Sequence, residues 1–151
     1  MRRSILTLAL AALALGGCAT TSLQTPAGFA AQPDDDHYEY RASDGEGVVL
    51  AVRREKNQPR GDLRFWTSAL DVKLRQAGYQ ALSLEEVASA DGIEGRQIRY
   101  ALPFEGRELS FWVTLFVTSK RVVIVEAGGD SELFDAKTEA VEQAIASLTV
   151  G

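Results

Sequence analysis

A single thiol, a single imidazole and a few neighbouring carboxylates are the groups in this 151-residue chain that could do chemistry. Nucleophilic catalysis needs a Ser, Thr or Cys beside a base. The only histidine, His37, stands at the edge of the patterned region, and the only cysteine, Cys18, stands far to its N-terminal side behind an apolar run. A Ser-His-Asp arrangement is therefore not expected. Asp34-Asp35-Asp36 beside His37 could hold a divalent cation weakly, but a calcium loop alternates its ligands and places a glycine at the sharp turn. Solvated charge is the expected reading of that cluster. Glu85-Glu86, or Glu105 with Glu108, could in principle do acid–base work of the kind carboxylate pairs perform in glycosidases; exposed turn acids are expected instead. The sequence holds no G-x-x-x-x-G-K-[ST] loop, no G-x-G-x-x-G after a strand and no C-x-x-C pair, the spacings that cradle phosphates or hold redox and zinc centres. The expectation is a noncatalytic chain with no cofactor and no metal site.

The surroundings of Cys18 are more informative. Arg2 and Arg3 precede an apolar stretch from Ile5 to Leu15, and small residues lead into the cysteine, the layout of a secretory signal peptide. As a helix that stretch would span about 16 Å, roughly half the hydrocarbon core of a bilayer, so a permanent transmembrane helix is not expected. Leu15-Gly16-Gly17-Cys18 resembles the lipobox of bacterial lipoproteins: an apolar residue, two small ones, then cysteine. The resemblance implies that the Cys18 thiol receives a diacylglycerol, that signal peptidase II cuts before it, and that the new amino group is acylated with a fatty acid such as palmitate. Two or more acyl chains make a stable anchor. Ala19 stands where lipoproteins retained in the inner membrane often carry Asp, which points to the outer membrane, facing the periplasm.

Residues 1–17 are thus expected to be a signal peptide, and losing Arg2 and Arg3 makes a chain of formal charge −5 two charges more acidic. Nucleic-acid binding favours a basic stripe and anionic lipid favours clustered Lys and Arg; neither fits. Membrane contact should come through the lipid on Cys18, and since that is the sole thiol, packing must stabilise the rest.

Residues 18–36 include Pro26 and Pro33 and have no period, so they read as the lipidated N-terminus and a flexible linker spanning very roughly 20–25 Å. Phe29 within it could dock on the domain or stay exposed. Residues 37–151 are of a size that supports one core. A hairpin is signalled by Tyr38–Ala42, the turn Ser43–Gly47 and the run Val48–Arg53. Leu63, Trp66, Leu70, Leu74 and Ala77 then share one helical face, with Asp62 placed to cap its start and Gly78 to close its end. Tyr79–Leu84 returns to strand spacing, and Ser83–Gly92 reads as a polar connection with a short turn around Glu85–Ala88. Arg96–Leu102, Glu108–Thr118 and Arg121–Ala127 form an antiparallel meander. Leu109, Phe111, Val113, Leu115 and Val117 share one face of the second strand, with Trp112 and Phe116 on the other, so these strands are expected to be covered on both sides. Either a helix covers Trp112 and Phe116 or they form an exposed patch that would mark a partner or ligand surface. Gly128-Gly129 ends the last strand, Asp130 or Ser131 can cap, and Phe134, Val141, Ile145 and Leu148 stripe a final helix.

The expected class is α+β, an antiparallel sheet with two main helices. This element order, with a Trp-bearing helix ending in Gly78-Tyr79 and a C-terminal helix after a meander, resembles the PsbP/Mog1-like fold. The resemblance implies an α/β/α sandwich and a noncatalytic accessory or protein-binding role; the anchor, the linker and the lack of a catalytic constellation add the expectation of an unknown envelope protein as partner. The alternative is a small-molecule or lipid carrier, for which an enclosed apolar cavity would speak and a filled core would not. Fold alone does not decide between them.

Overall fold

The computed structural model describes residues 22–33 and 36–151; the expected signal peptide and the lipidation site Cys18 lie outside the described residues. The class is α+β. Among the described residues, seven antiparallel strands form one sheet: β1 (Ala30–Ala31), β2 (Tyr40–Ser43), β3 (Val49–Lys56), β4 (Gln80–Ala88), β5 (Glu94–Phe104), β6 (Arg107–Val117) and β7 (Arg121–Asp130), in the spatial order β1-β2-β3-β7-β6-β5-β4. Three helices accompany them: α1 (Leu63–Gln76), the short α2 (Ser131–Asp135) and α3 (Thr138–Ala146).

The central strands explain the layering. Trp112 to Phe116 and Val122 to Val125 are buried without interruption, so both faces of β6 and β7 must be kept from water. On one face Ile98, Tyr100, Val113, Leu115, Val122 and Ile124 pack against Leu63, Trp66, Leu70 and Leu74 of α1. On the other, Leu50, Val52, Trp112, Phe116, Val123 and Val125 pack against Phe134 of α2 and Val141, Ala144 and Ile145 of α3. Trp112 and Phe116 are therefore covered by helix. The Trp112 ring meets Phe134 edge-on at 5.0 Å, and its face receives the Arg99 guanidinium at 3.8 Å.

α1 starts and stops where its sequence says. The Asp62 carboxylate accepts the Phe65 amide at 2.7 Å, satisfying one orphan donor of the first turn. At the other end Gly78 takes φ +97°; its amide donates to the Arg75 carbonyl and the Tyr79 amide to that of Leu74, at 3.0 and 3.1 Å. That is a Schellman closure, for which glycine is the favoured residue. The apolar stripe ends at Leu74, because Ala77 is the exposed C-cap. Burial raises the pKa of the Tyr100 phenol, as does the hydrogen bond it donates to Asp71 of α1 at 2.9 Å.

Several expectations are corrected. Ser83–Gly92 is not a polar connection, since β4 extends to Ala88, pairing with β5 across a bulge between Ala81 and Ser83; ladder pairing prevails over the local polarity of Glu85-Glu86. Gly128 and Gly129 do not end β7, which continues to Asp130. A Cβ at Gly128 would lie 2.9 Å from the Ser110 carbonyl oxygen, and one at Gly129 2.8 Å from that of Gly47, so these glycines permit close backbone approach inside the sheet. The final helix is two: Asp130 caps α2 through the Glu132 amide, the chain bends at Ala136-Lys137, and Leu148 is buried beyond the end of α3. Residues 22–33, expected within the linker, are a strap on the domain. Leu23 and Phe29 pack against the α3-side core, β1 pairs with β2, and Ser22 exchanges backbone hydrogen bonds with Thr149 at 2.8 and 3.3 Å. Burial of those two apolar side chains offsets the ordering of the segment.

Asn57 is a buried junction that binds the start of α1 to the sheet. Its side-chain amide donates to the carbonyls of Gly61 and Thr118 at 3.0 and 2.9 Å, while its oxygen accepts from the Gly61 amide at 2.9 Å and from Trp66 Nε1 at 2.7 Å. Asn57→Ala would leave the Trp66 N–H and two carbonyls without these partners, a loss of about 1–3 kcal/mol, measurable as a lower urea midpoint with an unchanged slope. Asp91 similarly holds the chain end: it accepts from the Ser89 hydroxyl at 2.6 Å and the amides of Val150 and Gly151 at 3.1 Å. The Ser89 bond first, then that from Val150, lowers its pKa from 3.8 to about 2. A depressed folded-state pKa stabilises above the unfolded value, and the gain is lost as pH falls through the folded one. Stability should thus decline between about pH 4 and pH 2, and Asp91→Asn should flatten that part of a urea-midpoint-against-pH curve.

Candidate cleft beside the first helix

α1 packs over β4, β5 and β6, and among the described residues no helix covers the neighbouring part of the same sheet face. Strand alternation puts Arg41 of β2, Val49 and Ala51 of β3, and Glu126 and Gly128 of β7 on this face. With Tyr38, Tyr79, Leu102, Leu109 and Phe111 they line a cleft of about 260 Å³. Its walls are aromatic and aliphatic: the Tyr79 ring lies 5.2 Å from Phe111 and 5.9 Å from Tyr100, and the Arg41 guanidinium sits 5.9 Å over the Tyr38 ring.

Arg53 and Glu126 form a half-buried ridge beside it. Nε and Nη2 of Arg53 donate to one Glu126 oxygen at 3.3 and 3.2 Å, and Arg53 also reaches Glu55 at 3.1 Å. Beyond the ridge a second hollow of about 210 Å³ is bounded by Arg53, Glu55, Trp66, Leu70, Leu115 and Val122, among others. The second hollow borders α1 itself, the first meets the chain just past the helix at Tyr79, and each is lined by one member of the ion pair. What this surface offers chemically is apolar area, aromatic faces and the Arg41 cation. The Ser110 hydroxyl in its wall shares a hydrogen bond with that of Ser131 at 2.9 Å.

The residues singled out in the sequence do not converge here. His37 is exposed, and among the described residues no three His, Cys, Asp or Glu side chains are grouped to hold a metal. Glu85 and Glu86 are consecutive on β4 and so point to opposite faces; Glu85 pairs with Arg99 at 3.1 Å. Glu105 occupies a hairpin turn at φ +48°, and Glu108 is exposed on β6. Trp66 belongs to the core facing α1. The convergence of Tyr38, Arg41, Tyr79 and Glu126 escaped the sequence reading because they come from the stretch before β2, from β2, from the link between α1 and β4, and from β7. The alternation of Leu109 and Phe111 was the one signal pointing at this wall.

No protein-family model matches the chain, and no curated protein matches it in sequence. Solved structures do share its fold. LpqN, involved in cell envelope biogenesis of Mycobacterium tuberculosis, superposes with a TM-score of 0.73 at 12% identity, covering 86% of this chain and 82% of that one. PA94 from Pseudomonas aeruginosa, a protein of unknown function described as a putative regulator, gives 0.60 at 13% identity, covering 90% and 88%. A Bacteroides thetaiotaomicron protein gives 0.53 at 11% identity, covering 85% of this chain and 44% of its own.

A cleft of this lining should take an apolar fluorescent probe. Leu109, half-buried in its wall, can be changed with little demand on the core, and Leu109→Arg is expected to weaken probe binding about tenfold through lost apolar contact. Fluorescence titration checks this, with an unchanged urea midpoint as the control for folding.

Proposed function

We propose that this chain is a lipid-anchored lipoprotein of the bacterial cell envelope whose domain is a noncatalytic accessory module. It is held at the outer membrane facing the periplasm, and it binds an envelope protein through the cleft beside α1. The observation that carries the reading is the lipobox-like Leu15-Gly16-Gly17-Cys18 behind a short apolar run, followed closely by a folded domain with an open apolar and aromatic cleft. The likeness in fold to a protein involved in cell envelope biogenesis supports it. Helices on both faces of an antiparallel sheet fit the PsbP/Mog1-like arrangement, which is part of the same reading.

The cleft's shape favours docking over carriage of a small molecule. It is open to solvent and borders a charged ridge, whereas a carrier would enclose most of its ligand's surface. Carriage of a lipid or small molecule is the second reading, supported by the apolar walls.

Two measurements test the proposal. In cells given a clickable palmitate, Cys18→Ala should lose the label and accumulate at precursor mass; equal labelling of mutant and parent would refute the anchor. Crosslinking in isolated membranes followed by mass spectrometry should yield one stoichiometric protein partner, lost in Leu109→Arg. A lipid extracted with the protein in place of such a partner would favour the carrier.

A further inference from the structure

The strands beneath the cleft bring its groups together in two rows. Register sets Arg41 of β2, Ala51 of β3 and Glu126 of β7 in one row, and Val49 of β3, Gly128 of β7 and Phe111 of β6 in the next. Neighbouring strands lie about 4.8 Å apart, so Arg41 and Glu126 stand roughly 10 Å apart at Cα with the small Ala51 between them. A Cβ at Gly128 would meet the Phe111 ring at 3.2 Å, so glycine keeps the floor clear up to the aromatic wall.

Three different groups face the space over that floor. The Arg41 guanidinium lies over the Tyr38 ring and forms no ion pair among the described residues. Glu126 receives both Arg53 bonds on Oε1, which leaves Oε2 to accept from an occupant. Tyr79 and Phe111 supply apolar wall. A cation, an acceptor and an apolar wall, in that order across β2, β7 and β6, match the carboxylate, amide N–H and side chain of the last residue of a polypeptide. An internal Asp or Glu spends its side chain on the carboxylate and has none left for the wall. A fatty acid brings no N–H for Glu126. At about 260 Å³ the cleft falls below the 300–1,000 Å³ or so usual for small-molecule pockets and suits a single anchoring residue. It also stands away from the chain's entry: β4 runs nine residues, about 30 Å, from beside Tyr79 to the turn that bonds Leu148. On the anchored reading this is the end remote from lipid.

We propose that the cleft captures the C-terminal residue of its protein partner, an inference that rests on reading the cleft as the docking site. The terminal carboxylate meets Arg41, whose planar fork suits bidentate recognition of a carboxylate. The amide N–H of the same residue donates to Glu126 Oε2. Its side chain, aromatic or large and aliphatic, lies against Tyr79 and Phe111 over Gly128.

The test uses the full-length chain in phosphatidylcholine vesicles and a tripeptide ending in Phe, labelled at its N-terminus, with chain-free vesicles as the blank. By fluorescence anisotropy the free acid should bind about tenfold more tightly than its C-terminal amide, through the charge-assisted bonds to Arg41, and about tenfold more tightly than a tripeptide ending in Ala. Arg41→Gln should abolish the preference for acid over amide and Arg41→Lys should keep part of it, each with an unchanged urea midpoint. No binding of the acid, equal binding of acid and amide, an acid preference that survives Arg41→Gln, or a copurifying lipid that Arg41→Gln removes would each overturn the proposal. Crosslinking in membranes separates it from the docking itself. A partner lost in Leu109→Arg but retained at parent yield in Arg41→Gln overturns the terminal carboxylate alone, whereas one retained in both overturns the docking and the proposal with it.

Discussion

A sheet that is apolar on both faces has to be covered on both faces, and most of this architecture follows from that requirement. β6 and β7 bury five and four consecutive residues, which in strands means that neither side tolerates water. One helix lies across one face and two short ones across the other. The bend at Ala136-Lys137 lets Phe134 reach Trp112 while Val141 and Ile145 continue the layer. Arg99 closes the second side of the Trp112 ring, held by Glu142 at 2.8 Å and Glu85 at 3.1 Å. A charged strand residue thereby completes an apolar layer, its planar guanidinium stacking on the indole face.

The helix and meander were legible because their signals are local. Asp62, the Leu63–Leu74 stripe and Gly78 carry the start, face and stop of α1 within one short stretch, and the alternation around Trp112 announced two covered faces. What stayed hidden depended on distant partners. Glu85-Glu86 looks like a turn until β5 is beside it. Asn57 lies between the hairpin and helix signals, and its role as a junction requires Trp66 and Thr118 to be near. Gly128 and Gly129 resemble a strand end because the sequence does not reveal the backbones that crowd them. The cleft was the least legible of all, being a place where α1 leaves sheet uncovered.

That uncovered part joins two chemistries rarely found side by side on a sheet surface. The aromatic wall of Tyr79 and Phe111 offers area without direction, whereas the Arg53–Glu126 pair offers direction with little net energy where it remains half in solvent. Docking surfaces commonly combine an apolar centre with a polar rim in this way.

The strap bears on where the domain would stand. Ser22 is stitched to Thr149, and Leu148 accepts the Ala90 amide at 2.7 Å, so the chain enters the fold at the corner formed by the β4–β5 turn and the last residues. On the anchored reading, four residue steps separate Cys18 from that corner, a contour of at most about 14 Å. A leash so short sets the range of poses. On that reading this corner would stay close to the bilayer, and the domain would meet other membrane-held proteins within a thin shell above the lipid.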